Sequence, residues 1–325
     1  MGAIAVFIFM FLSGYLCLKA QGQYSERLRT SCVFAVKRLT RLVLPLTFAV
    51  FFSALVIGAA FTTLPLFDYL SHPAMHDYLK NCVPFAMIRF HLPDVFAWNV
   101  HGINGSLWMI PALWWSYAIM TIAILLGVVR NRRVVLSLCL LVWGIWIARA
   151  WLSAFVPGPV WDAVWNAMHI RIVDSPRIIA IFLTGWTFAL YDDEYEYSGW
   201  LALVFGALLF IWFHTDVCDL PLAVLGGYIL AWAIHSRQIP YVDKFPPISF
   251  GIYLVAFPIQ CACTHLFGGK MNPYLNFVLS MSVIVPIALL EYYLVEKPTF
   301  KIRKALLQKV DGLFCRKQRE TNERN

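Results

Sequence analysis

Arg38 and Arg41 stand three residues apart at the start of a long apolar stretch, a spacing that puts both on one face of a helix. A guanidinium fork fits phosphate oxygens two at a time, so this pair suits an anionic ligand at a membrane edge. It also suits plain positive anchors that set topology. A second polar group, Asn99, His101, Asn104 and Ser106, is packed just ahead of an apolar run carrying Trp108, Trp114, Trp115 and Tyr117. Asn104, Ser106 and Trp108 fit substrate binding; equally, Ser106 fits a helix cap and the rings an aromatic belt. His91 and His101 are the histidines nearest this stretch and the candidates for a general base, each also readable as a solvated loop residue. Arg149 falls inside an apolar span, where charge is costly and marks a functional site unless it snorkels to the surface. Tyr253 fits either a hydrogen bond at a bundle centre or aromatic packing. A Ser-His-Asp reading lacks a nucleophile elbow. A zinc reading of His72 and His76 fails because Pro73 breaks their shared helical face.

The elements that must position these residues are membrane spans. Hydrophobic residues make up 60% of the 325 and charged ones only 14%, against about 25% charged in soluble domains. Runs of roughly 20 apolar residues cross a bilayer, and shorter ones do so with less tilt. Nine such stretches are expected, at 2–19, 42–64, 106–129, 134–156, 176–191, 199–213, 220–235, 247–267 and 275–295. The first lacks a positive leader and continues as a span, not as a cleavable signal. The net charge of +8 does not point to nucleic acid, because the basic residues lie between spans and at the C-terminus. Most of them fall on one side: in the 20–41 connection, at Arg130, Arg132 and Arg133, at Arg237 and Lys244, and beyond Glu296. The positive-inside rule makes that side cytoplasmic, with the N-terminus outside and the C-terminus inside. The acidic loop Asp192, Asp193, Glu194 and Glu196 breaks the pattern, although acidic residues count little in this rule. Residues 82–90, apolar but too short to cross, fit a re-entrant or interfacial piece. Glu296, just before Lys297-Pro298, is expected to end the last helix and pair with the basic tail.

Four segments resemble the membrane-bound acyltransferase 3 family, which includes O-acetyltransferases of bacterial surface polysaccharides. They are Phe9-Met10-Phe11-Leu12-Ser13-Gly14-Tyr15-Leu16, the Lys37–Pro45 segment with Arg38 and Arg41, Asn104-Gly105-Ser106-Leu107-Trp108-Met109-Ile110-Pro111, and Ser249–Leu254 together with Glu296-Lys297-Pro298. The third is the most specific, and the order and spacing agree along nearly the whole chain. The resemblance implies an all-α polytopic bundle of about nine transmembrane helices, the family's ten minus the first. It divides the chain into an acyltransferase-3-like transmembrane domain at 1–298 and a basic cytoplasmic tail at 299–325. Three polar positions depart from the family. The first helix, with the His taken as catalytic base, is missing; Leu113 stands where a Glu is common; and Ala256 stands where a His follows Tyr-Leu.

Acyl transfer needs a base for the hydroxyl proton, donors for the oxyanion, and cations for the donor's phosphates. The resemblance implies an acetyl group delivered from acetyl-CoA as a substrate, with no bound cofactor, and Arg38 and Arg41 at the donor. Asn104, Ser106, Trp108 (stacking on a sugar ring), Arg149 and Tyr253 are the expected substrate residues. The expected acceptor is an envelope glycan such as lipopolysaccharide O-antigen or a lipid-linked oligosaccharide, at the bacterial inner membrane among its lipids. The missing base keeps two other readings open: a non-enzymatic glycan or lipid carrier, flippase-like, and a truncated inactive acyltransferase.

Overall fold

The computed structural model describes residues 2–20, 26–85, 87–99, 102–155, 175–212, 219–236 and 245–322. In chain order its helices are α1 (Gly2–Lys19), α2 (Arg27–Phe51, prolonged by a π-helical turn at Phe52–Gly58 and by Ala59–Phe61), α3 (Leu66–Ser71) and α4 (Pro73–Leu79). There follow α5 (Ile110–Leu126, entered through a 3-10 turn at Gly105–Met109), α6 (Arg132–Phe155), α7 (Ser175–Tyr191) and α8 (Gly199–Trp212). The last are α9 (Gly227–His235, after a π-turn at Leu222–Gly226), α10 (Ser249–Leu266), α11 (Pro273–Glu291) and α12 (Lys297–Asn322), with a π-turn at Tyr292–Glu296 joining α11 to α12. Among the described residues no strand forms, only one isolated antiparallel bridge between Thr62 and Val95. The fold is all-α, as expected.

Among the described residues, four helices are long and apolar enough to cross a membrane: Arg27–Phe61, Gly105–Leu126, Ser249–Leu266 and Pro273–Phe314. Three shorter apolar helices, Ile4–Lys19, Gly199–Ile211 and Asp219–His235, accompany them. Phe210 is 79% exposed and Leu203 69%, as side chains facing lipid instead of water must be. Two expectations are corrected. The 20–41 connection is already helix from Arg27, because Val33, Phe34 and Leu42 keep a buried face between the basic residues. The last span does not end at Glu296; the chain passes through the π-turn into α12. Among the described residues of 83–99 no helix forms, and Asn81 holds this segment by donating to Arg89 O (2.7 Å) and accepting from Arg89 N (2.9 Å).

The chain forms two compact units, residues 1–34 with 112–242, and residues 35–111 with 243–325. In the first, α1 lies against α7 through two glycines. A Cβ on Gly14 would strike the Phe182 carbonyl, and one on Gly185 the Phe11 carbonyl. Small residues let backbones approach where lipid supplies no hydrophobic drive between helices. This gives the Ser-Gly of the first family-like segment a packing role. On the other flank of α7, Trp143 Nε1 of α6 donates to Thr184 Oγ1 at 3.0 Å.

The ends of α1, α6 and α7 meet in a polar cluster of that same unit. Asp192 accepts from Tyr15 (2.7 Å) and Tyr197 (2.9 Å) and pairs with Lys19 at 2.7 Å, its own side chain only 2% exposed. Arg132 pairs with Glu194 and donates from Nε to Leu190 O at 3.1 Å. The acidic loop thus neutralises basic helix ends assigned to the same side, which explains its break in the charge pattern. Burial works against the charged form of Asp192, but its bonds from Lys19, Tyr15 and Tyr197 win and hold the carboxyl below its ordinary value.

Gly185→Ala is expected to cost on the order of 1–3 kcal/mol, because backbone and not a flexible side chain must give way. Gly206→Ala, with nothing within 4 Å, leaves the melting temperature of the detergent-solubilised protein unchanged. Lys19→Met takes the ammonium from Asp192, leaving its carboxylate to Tyr15, Tyr197 and His235, and costs about 1–2 kcal/mol at neutral pH. A lowered folded-state pKa stabilises above the unfolded value of about 3.9 and is lost as pH falls through the folded one. The gap in Tm between the parent and Lys19→Met is therefore full at pH 7 and closes below about pH 4.

Candidate functional site: a polar clasp and a basic cavity

The second unit holds the segment most like the family, and its polar residues grip α10. Asn104, fully buried, donates from Nδ2 to Leu254 O at 2.8 Å. Its Oδ1 accepts from Ser106 N at 3.1 Å, capping the turn Gly105–Met109. The reason for the first bond is four residues further along α10. Leu254 O would ordinarily accept from the amide of residue 258, but that residue is Pro258, which has none. A carbonyl orphaned inside a membrane helix must find a donor from a neighbour, and Asn104 is that donor. Tyr253 returns the grip by donating its hydroxyl to Ser106 O. Gly105 is small because a Cβ would stand 2.9 Å from the Phe257 ring. Upstream, Asn99 Nδ2 reaches Cys261 Sγ at 3.1 Å, and Trp98 Nε1 donates to His265 Nδ1 at 3.3 Å. Trp98, Asn99 and Asn104 thus meet His265, Cys261 and Leu254 in turn, an antiparallel order along α10.

The structure brings Asn104, Ser106 and Tyr253 together, and the side chains of Asn104 and Tyr253 bond to backbone groups of Leu254 and Ser106. Trp108 is half-buried beside them. His91 is exposed on the irregular segment and makes no bond to Asn104, Ser106 or Tyr253. His101 lies outside the described residues. Arg149 is on α6, with its side chain outside the description.

Arg38 and Arg41 do line a cavity. It measures about 600 Å³ and is bounded by Lys37, Arg38 and Arg41 of α2 and by Phe300, Arg303, Lys304, Leu307, Gln308 and Asp311 of α12. The α12 residues fall at i, i+3, i+4, i+7, i+8 and i+11 from Phe300, the rhythm of a single helical face. A smaller cavity of about 210 Å³ shares Arg41, Phe300 and Arg303 and adds Thr40, Pro45, Pro247, Glu296 and Thr299. The Arg303 guanidinium lies over the Phe300 ring at 4.5 Å.

Sequence reasoning missed Arg303 and Lys304, which read as part of a charged tail. It also missed Glu291, which is 1% exposed and has no hydrogen-bond partner for either carboxylate oxygen. Room for it is left by Gly251, whose missing Cβ would stand 2.7 Å from Oε2. The available signal was an acidic residue in an otherwise apolar run, a functional-site marker by default.

The profile of the family described as "Acyltransferase domain" matches residues 1–293. The chain belongs to that family. A relative from Shigella phage Sf6, named "O-acetyl transferase", is 24% identical over 308 residues, covering 91% of this chain and 84% of its own length. No solved structure matches. The protein is thus a membrane acyltransferase, and α12 beyond Lys297 lies past the residues that the family profile covers.

Asn104→Ala leaves the Leu254 carbonyl without a donor and is expected to cost about 1–3 kcal/mol. Pro258→Ala in the same protein restores a helical amide for that carbonyl. The double variant should melt above Asn104→Ala alone, a coupling that additive effects cannot produce. A double variant less stable than Asn104→Ala would show that the two residues do not share this carbonyl.

Proposed function

We propose that this acyltransferase moves an acetyl group from acetyl-CoA to a hydroxyl of an envelope glycan, lipopolysaccharide O-antigen first among the choices. The observation that carries the reading is the basic cavity lined by Arg38 and Arg41, the two residues the family resemblance singles out for the donor. The phage relative named "O-acetyl transferase", at 24% identity, supports acetyl transfer to oxygen. On this reading the apolar helices span a bacterial inner membrane, with the α2 and α12 cations and the C-terminus at the cytoplasmic face. That side suits a cytosolic, phosphate-bearing donor.

The chemistry is a simple exchange. The acceptor oxygen attacks the thioester carbonyl, the C–S bond breaks, and the hydroxyl proton passes through a general base to the departing thiolate. The chain's own cations hold the donor through its phosphates. The basic end thereby fixes where the thioester can reach, and positioning of this kind is a large part of catalysis.

Membranes carrying the parent chain should transfer labelled acetyl from acetyl-CoA to purified glycan as an alkali-labile ester. Arg41→Ala should raise the donor KM about tenfold or more, the loss of one charge-assisted phosphate contact. Glycan transport without ester formation would favour the carrier reading. Ester formation indifferent to both Arg38→Ala and Arg41→Ala would remove the donor from this cavity.

A further inference from the structure

We infer that α12 is the second wall of the donor site, and that Arg303 and Lys304 complete a pocket for a carrier with three phosphate groups. The inference rests on the donor reading above and extends it beyond α2. Its support is geometry and charge. Arg303 and Lys304 sit on the same face of α12 as Phe300, Leu307, Gln308 and Asp311, across one cavity from Lys37, Arg38 and Arg41. Five cations against one carboxylate give the lining a formal charge of +4. A single phospholipid phosphodiester carries one negative charge and would leave most of that field unmatched. A diphosphate joined to a phosphate monoester carries about four near neutral pH, since a monoester contributes −1.5 to −2. A coenzyme A thioester has that composition.

The two cavities also differ in character. The larger has the five cations, and the smaller has Thr40, Pro45, Pro247 and Thr299 around the shared Arg41, Phe300 and Arg303. Glu296, on the π-turn, faces the smaller one with Arg41 and Arg303 as neighbours. Phosphates therefore belong in the larger cavity, and the uncharged arm leading to the thioester in the smaller. Arg303 lines both and so stands where the two parts of the carrier would join.

The test is direct binding to the purified full chain in nanodiscs of zwitterionic lipid, with coenzyme A as the probe. The variants are Arg303→Ala with Lys304→Ala, Arg38→Ala with Arg41→Ala, and the charge-keeping Arg303→Lys with Lys304→Arg. Unchanged melting temperatures certify the fold. The expected result is a loss of about tenfold or more in the first two and within about threefold in the third, with dephospho-coenzyme A bound more weakly than coenzyme A by the parent. Unchanged binding in Arg303→Ala with Lys304→Ala, together with loss in Arg38→Ala with Arg41→Ala, overturns the role of α12 and leaves the donor reading standing. Failure of the parent itself to bind coenzyme A overturns both. If phosphatidylglycerol discs abolish coenzyme A binding in the parent, and the α12 variant differs only in its response to that lipid, the pocket is a lipid headgroup site and the inference falls.

Discussion

One hydrogen bond, from Asn104 Nδ2 to the carbonyl of Leu254, governs how the second unit is put together. Pro258 gives α10 a carbonyl with no partner along its own helix, and a bilayer offers no water to supply one. The donor must come from another segment, and it must be a side chain with an N–H to spare. That requirement accounts for an asparagine at full burial and for a glycine beside it where the Phe257 ring comes close. The tyrosine next to Leu254 closes the same contact from the other side. A polar motif that looks like chemistry is here the means by which an irregular segment is held against a helix.

The first unit answers the same constraint differently. Its closest helix contact, α1 on α7, uses the absence of side chains at Gly14 and Gly185. Its buried charge, Asp192, is matched by an ammonium and two phenols. His235 sits 3.3 Å from the same carboxylate through Nε2, and its Nδ1 is 2.9 Å from the Ala231 carbonyl. Both ring nitrogens therefore face oxygen atoms of the same unit. Asn104 and Tyr253 in the second unit, and Asp192 in the first, hold backbones and charges, whereas the buried carboxylate of Glu291 holds none. The cations of α2 and α12, at the edge, line an open cavity instead.

Sequence legibility followed the physics of each feature. The helices were readable because apolar length is what a bilayer demands. Arg38 and Arg41 were readable because a spacing of three is a face wherever a helix exists. The α12 face was not, although Phe300, Arg303, Lys304, Leu307, Gln308 and Asp311 keep a regular rhythm, because a high density of charge mimics a solvated tail. The partner of Asn104 was not readable either. A proline inside a span announces an orphaned carbonyl at the position four before it, but nothing local says which distant side chain meets it. The helix before Pro45 was hidden in the same way, its buried residues masked by the basic ones around them. The pairing of the acidic loop with Lys19 and Arg132 depends on three helix ends meeting, which spacing along the chain does not encode.

The π-turn at Tyr292–Glu296 fixes more than a bond pattern. Each residue of an α-helix advances about 100° around its axis, so the azimuth of everything beyond a point depends on how many residues precede it. A π-turn stores one residue more than an α-turn over the same stretch. The row from Phe300 to Asp311 owes its compass bearing to that extra residue. Without it, the rod below would swing by roughly a quarter of a revolution, and its cations would point away from α2. The irregular turn is the rotary setting that aims one helix's charge at another's.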